Sequence, residues 1–306
     1  MQIWDPVNGH DGTEVGSGGL YNNQKHASKP ITRLDKPAGE WNSFRIRMIG
    51  EIVTVWLNGG LVVDDVPMEN YWDRSRPIFA REQIELQTHG GEIRFRNLMI
   101  REIPGDEANA WLRSREASRF TPLTNGMDLS GWTGSTDGYY VENGAIVCDP
   151  AKGGNLFSEK AYGDFIARFE FLLPPGGNNG FAIRSPRDAT NPAYDGMELQ
   201  VLDNTHPKYA NLKPYQFHGS VYGIVPAHRG YQRAVGEWNF EEVEVRGSRV
   251  IVRLNGFTIV DADLAEIETP LDGQAHPGMR RTTGHFVFMG HGDPVRFRNV
   301  SVRELD

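Results

Sequence analysis

Two stretches of this chain are versions of one another. Gly39-Glu40-Trp41-Asn42 returns as Gly236-Glu237-Trp238-Asn239, and Leu57-Asn58-Gly59 returns as Leu254-Asn255-Gly256, at a single offset and without a gap. The likeness resumes at His89-Gly90 with His291-Gly292, runs through Arg94-Phe95-Arg96-Asn97 with Arg296-Phe297-Arg298-Asn299, and closes at Arg101-Glu102 with Arg303-Glu304. Self-similarity at a fixed spacing means that one supersecondary unit is built twice, so any fold proposed for the second stretch must also suit the first. Upstream, Gly18 and Tyr21 fall opposite Gly219 and Tyr222, and Gln2 and Asp5 fall opposite Gln200 and Asp203. Met1 then stands near Met197 or Glu198, and residues 120–197 have no earlier counterpart. The expected organisation is a partial module over 1–103, a linker over 104–118 with a short helix at Glu107–Ala117, and a complete module over 119–306. The first module is expected to start mid-domain, as though N-terminally truncated, with no signal peptide ahead of it.

Within the repeats the apolar residues alternate with period two, as in Phe44, Ile46 and Met48, in Val53, Val55 and Leu57, and again in Val243, Val245 and Val250, Val252, Leu254. That period belongs to β-strands with one buried face. Glycines between such runs, as in Val245-Arg246-Gly247-Ser248-Arg249-Val250, mark tight hairpins. The fold class read from this pattern is an all-β antiparallel sandwich. The same alternation sends Met197, Leu199 and Val201 to the core and Glu198 and Gln200 to the opposite face. By parity it also places Arg184, His218, Ser220, Tyr222 and His291 outward, so that polar side chains would gather on one open face of the second module. The glutamates at 237, 241, 242 and 244 read as a solvated strand and hairpin surface.

The formal net charge of −8 is spread along 306 residues without a basic patch, which argues against a nucleic-acid partner. No apolar run approaches the roughly 18 residues that a membrane-spanning helix requires. A single cysteine, Cys148, allows no intramolecular disulfide and reads as a small apolar filler of the strand Ala145 to Cys148.

Taken in order, Asn178-Asn179-Gly180-Phe181-Ala182-Ile183-Arg184, Met197-Glu198-Leu199-Gln200-Val201-Leu202-Asp203, Gly219-Ser220-Val221-Tyr222-Gly223, Gly236-Glu237-Trp238-Asn239 and Gly290-His291-Gly292 with Phe297-Arg298-Asn299 resemble the 3-keto-disaccharide hydrolase family. The resemblance covers residues 120–305 throughout and 2–103 in part. It implies a concanavalin A-like jelly-roll β-sandwich, one complete copy plus one partial copy. It also implies a periplasmic or extracellular location and cleavage of glycosides whose sugar ring is oxidised at carbon 3, by elimination and rehydration.

Such a reaction needs a base at carbon 2, a donor or cation at the ketone oxygen and an acid at the leaving oxygen. The expected catalytic set is Glu198, His218, Arg184 and His291, with His218 or Glu198 as base, Arg184 at the enolate oxygen, and His291 or Tyr222 assisting the leaving group. Gln200, Tyr222, Trp238 and Asp203 are the expected substrate-binding residues, Trp238 by stacking on the sugar. Glu198, Asp203, His206, His218 and His291 supply donors for a divalent metal, either calcium or a catalytic ion, without the close spacing of a known motif. The rival reading is a non-catalytic, lectin-like carbohydrate-binding module, since the sandwich architecture alone does not fix function. The first copy retains Tyr21 and His89 but has Met1 in place of Glu198, and is expected to be inactive and either to self-associate, taking strands from another chain, or to bury its uncovered faces on the second copy.

Overall fold

The structure is a computed structural model and describes residues 1–4 and 16–305. Asp5, aligned above with Asp203, lies outside the described residues. The chain forms two compact units, Met1–Ala108 and Asn109–Asp306.

The first unit is built on the antiparallel meander β1 (Phe44–Ile49), β2 (Ile52–Leu57) and β3 (Gly60–Pro67). Leu20, Val53, Val55, Leu57, Val62 and Val63 form its core. The Glu69 carboxylate accepts the successive amides of Gln24, Lys25 and His26 at 2.7 to 3.0 Å and pins that turn. Residues 78–104 form no strand or helix.

Helix α1 (Gly105–Ser114) follows, with Asp106 and Glu107 in its first turn and Arg113 in its last, the arrangement that the helix dipole favours. The helix begins and ends a few residues before the span read from the sequence. It is more than a spacer, because Asn109 and Arg113 both engage the buried Glu170 of the second unit.

The second unit is a two-sheet β-sandwich. Its strands are β4 (Thr121–Pro122), β5 (Trp132–Gly134), β6 (Tyr139–Glu142), β7 (Ala145–Cys148), β8 (Gly154–Tyr162), β9 (Phe165–Leu172), β10 (Asn178–Ser185), β11 (Met197–Leu202), β12 (Asn239–Arg246), β13 (Arg249–Leu254), β14 (Phe257–Asp263), β15 (Gly284–Gly290) and β16 (Arg296–Glu304). One sheet has the order β11-β10-β15-β8-β5, the other β14-β13-β12-β9-β16-β7-β6, with β4 on β16. Alternate aromatics from both sheets meet between them: Phe169 lies 4.8 Å from Phe181, Phe165 4.8 Å from Phe286, and Phe288 4.1 Å from Phe297. Each of these rings is fully buried, and aromatic pairs at such spacing add to the area they remove from water. Cys148 is buried in β7, as the strand pattern predicts.

The repeated residues earn their place through one hydrogen-bond network that occurs in both units. In the second unit the Asn255 side-chain oxygen accepts the Phe240 amide, while its amino group donates to the Tyr231 carbonyl and to Asn239. In the first, Asn58 accepts the Ser43 amide and donates to the Leu34 carbonyl and to Asn42. Both asparagines are left-handed, at φ 53° and 52°. The repeated tryptophans each lie under an arginine, Arg298 at 4.0 Å from Trp238 and Arg96 at 3.9 Å from Trp41. Gly219 and Gly18 also match: a Cβ on either would come within 3 Å of Ile259 or Val62 respectively.

Candidate functional site

The five-stranded sheet turns one face inward, and its other face carries the candidate site. Register pairs Ala182 with Glu198 and with Val287, and Gly180 with Gln200 and with Met289, so these side chains share the outer face. Phe157, Ala182, Val287 and Met289 form an apolar patch there, closed from above by Ala193 of the short helix α2 (Pro192–Asp195) and by Tyr194. Asn191 caps that helix by accepting the Ala193 amide.

Glu198 stands in this setting. Its carboxyl lies across Gly180, where a Cβ would fall 2.2 Å from Glu198 Oε1, so only glycine leaves room for it. Glu198 is 4% exposed and its Oε1 has no hydrogen-bond partner among the described residues. Burial without a counter-charge pushes its pKa up to about 8, leaving a carboxylic acid that is protonated at neutral pH and able to donate. Gln200, two residues along the same face, is also buried with an unpaired side-chain oxygen.

Three residues absent from the sequence-derived set complete the cluster. His276 Nε2 lies 3.0 Å from Asp272, while its Nδ1 is buried without a partner. The Tyr194 ring packs against the His276 ring at 4.5 Å, tilted by 37°. Burial raises the Tyr194 pKa, and the neighbouring charge of Asp272 with those of Tyr222 and Glu198 raises it further. Burial works against the Asp272 carboxylate, but the Gln274 amide, the His276 ring and the Tyr194 hydroxyl together hold it below its ordinary pKa. Tyr222 donates its amide to the Glu198 carbonyl, and its hydroxyl accepts from Gln216 at 3.0 Å. The half-buried Tyr194 and Tyr222 are the solvent-facing members of the group. The arrangement offers a neutral acid, a carboxylate-oriented imidazole with one free nitrogen, and two phenols.

Other expected site residues are placed elsewhere. Arg184 does not reach the open face: β10 bulges between Ala182 and Ser185, Arg184 takes a left-handed φ of 51°, and the alternation breaks. Its buried guanidinium donates to the carbonyls of Gly163, Gly247 and Arg281 and pairs with Asp164 at 2.8 Å, tying three turns together. His218 points into the sandwich, against Phe171 at 4.7 Å, with Nε2 3.0 Å from Glu241. Glu241 is therefore not a solvated surface residue; it shares the inner face with Phe169 and is fully buried. Trp238 is covered by Arg298 on the other sheet and offers no platform beside Glu198. Asp203 holds a loop, accepting the Gly176 and Thr205 amides. His291 is exposed just beyond β15. It shares the parity of Val287 and Met289 but sits about 13 Å along the strand from the Glu198 rung.

The proposed metal donors are separated in the same way. Among the described residues no group of three or more His, Cys, Asp or Glu side chains is placed to hold an ion. Asp203 and His206 are occupied with backbone amides, and His218 with Glu241.

Comparison with known proteins bears on this site. The profile of the 3-keto-alpha-glucoside-1,2-lyase-like domain matches residues 1–101 and 119–303. A 3-keto-disaccharide hydrolase of Bacteroides thetaiotaomicron is 23% identical over 232 residues, covering 62% of this chain and 80% of the relative. Two crystal structures from Parabacteroides distasonis ATCC 8503, both provisionally described as glycosyl hydrolases, superpose with the chain. One gives a TM-score of 0.55 at 24% identity over 61% of this chain and 99% of its own. The other gives 0.54 at 26% identity over 62% and 96%.

Proposed function

Because the chain belongs to the 3-keto-alpha-glucoside-1,2-lyase-like domain family, we propose that its second unit cleaves the glycosidic bond of sugars oxidised at carbon 3. The observation that carries this reading is Glu198, an acid held neutral over Gly180 beside a carboxylate-bound imidazole. A ketone at carbon 3 acidifies the proton on carbon 2. His276, oriented by Asp272, is the base that removes that proton through its free Nδ1. Glu198 gives its proton to the glycosidic oxygen as the bond to carbon 1 breaks, leaving a double bond between carbons 1 and 2 and a free alcohol. Water then adds across that double bond to give the 3-keto sugar. Gln200 and Tyr222 are the hydrogen-bonding groups placed to hold the sugar. A periplasmic or extracellular location suits such a substrate.

The stretch over 1–103 is read as a partial copy of the same module. With Gln2 opposite Gln200, Met1 falls opposite Leu199 and no described residue of this stretch stands opposite Glu198; the copy is proposed to be catalytically silent.

Release of p-nitrophenol from its 3-keto-glucoside tests the reading. Glu198→Gln keeps the shape and loses the acid, and is expected to lower kcat by about a hundredfold or more. In deuterated water the product sugar should carry deuterium at carbon 2. Saturable sugar binding with no release would favour the lectin-like alternative, and release that Glu198→Gln leaves unchanged would remove Glu198 from the chemistry.

A further inference from the structure

With Arg184 drawn into the fold, the proposed elimination still needs a donor at the ketone oxygen. Residues 219–222 run antiparallel beside β11: Leu199 pairs with Val221, the Gln200 amide donates to the Ser220 carbonyl, and the Tyr222 amide donates to the Glu198 carbonyl at 2.9 Å. Glu198 and Tyr222 therefore stand opposite one another as cross-strand neighbours on one face. The next residue, Gly223, lies against the imidazole and its carboxylate. Its carbonyl accepts the Asp272 amide, and at φ 75° a Cβ there would fall 2.4 Å from Asp272 Oδ2 and 2.7 Å from His276 Nε2. The backbone thereby anchors Tyr222 beside both the acid and the base.

The direction of the Tyr222 hydroxyl is set from behind. Gln216 closes the single turn Pro214–Gln216, and its Oε1 accepts the Lys213 amide at 3.0 Å. With the amide oxygen held on that N–H, the amino group faces the other way, and Gln216 Nε2 donates to the Tyr222 hydroxyl at 3.0 Å. That hydroxyl accepts from Gln216 and so keeps its own proton for another acceptor; among the described residues none takes it. The Tyr194 hydroxyl, by contrast, is bound to Asp272. Tyr215 packs edge-on against the Tyr222 ring at 6.5 Å.

We propose that Tyr222 is the donor to the ketone oxygen and that Gln216 is the positioning residue that aims it, an inference that rests on the roles assigned to Glu198 and His276. As His276 Nδ1 takes the proton from carbon 2, the electron pair of that C–H bond forms a double bond between carbons 2 and 3. The carbonyl pair moves to the ketone oxygen, where the Tyr222 O–H stabilises the developing charge. The enolate then returns its pair: the carbonyl re-forms, the double bond shifts to carbons 1 and 2, and the glycosidic oxygen leaves with the Glu198 proton.

The test uses the full chain with 1,5-anhydroglucitol oxidised at carbon 3. This probe has no leaving group, so deuterium uptake at carbon 2 in deuterated water reads enolisation alone. Tyr222→Phe keeps the ring and should slow uptake about a hundredfold. Gln216→Glu keeps an acceptor for the Lys213 amide but presents a second acceptor to Tyr222, which draws the phenol proton away from the sugar. Uptake by this variant should fall about tenfold at pH 7, with KM for the p-nitrophenyl 3-keto-glucoside within about twofold of the parent. The ratio of parent to variant should narrow towards pH 4, where the new carboxyl takes up a proton and donates again. Uptake that Tyr222→Phe leaves unchanged overturns the donor role while His276 remains the base. A loss in Gln216→Glu that does not vary with pH overturns the positioning role. A parent that takes up no deuterium overturns both, together with the reading on which they rest.

Discussion

At the scale of single residues, two of the buried acids of the second unit, Glu198 and Glu241, have opposite arrangements. Among the described residues Glu198 forms no ion pair, and burial raises its folded pKa to about 8 from its ordinary value of 4.5. Between those values the folded state binds the proton and the unfolded state does not, so stability falls as pH rises from 4.5 towards 8, by about 1.4 kcal/mol per unit at most. Glu198→Gln removes that slope. Urea unfolding of the second unit at pH 5 and pH 8 should show the variant gaining on the parent as the solution becomes alkaline; an unchanged gap would mean that Glu198 is ionised in the fold. Glu241 instead has His218 at 3.0 Å and no other partner among the described residues. Where this pair would fall in the first unit stand Ser17, bonded to the Trp4 backbone, and Phe44, packed on the apolar cluster. Both members are exchanged together, as expected for groups that tolerate burial only as a pair. Glu241→Leu or His218→Ala alone should cost about 3–5 kcal/mol, and the double change H218S/E241F should cost clearly less than the two single losses combined. A double-mutant cycle with additive losses would show that the two side chains do not depend on one another.

Among the elements, helix α1 meets the larger sheet at a buried carboxylate, and its Asn109 also donates to the Trp238 carbonyl and accepts from Arg233. Glu170 is fully buried on the outer face of the larger sheet, where Arg113 and Asn109 of the helix meet Arg298 and Asn299 of β16 upon it. Glu170→Ala strands two guanidinium groups and should cost about 3–5 kcal/mol while loosening the helix. Hydrogen exchange at residues 109–114 should then rise well above that of β9 itself; uniform exchange across both would show that the helix does not hang on this contact. The bulge in β10 has the opposite character, since it removes Arg184 from the open face in order to join three turns.

Across the whole molecule, each unit has its own core, and the two cores are unequal. The first has one meander over a small apolar cluster, whereas the second closes two sheets over seven fully buried phenylalanines. Calorimetry should resolve two transitions, the first unit melting at the lower temperature. Brief proteolysis should cut first within residues 78–104, where irregular backbone and exposed Phe79, Ile84, Leu98 and Met99 lie outside any sheet. Cleavage there should leave the glycoside-cleaving activity proposed for the second unit intact. A single transition, or first cuts inside the sandwich, would show that the chain unfolds as one body.

The sequence by itself determined the all-β class, the hairpins, and the outward parity of Glu198 and Gln200. Each follows from contacts between near neighbours: period-two alternation, glycine at turns, and asparagine in left-handed corners. Tertiary structure alone decided which chemistry surrounds Glu198. A bulge redirected Arg184, and the closing of the sandwich drew His218 and Glu241 into its interior. Tyr194 came to the site from the single-turn helix α2, and Asp272 and His276 from a loop, segments whose local pattern shows no period; the spacing of Asp272 and His276 is the one faint signal. Alternation tells which side of its own strand a residue faces. Whether that side is core, solvent or a neighbour's loop depends on packing between segments far apart in the chain, and a local pattern does not encode it.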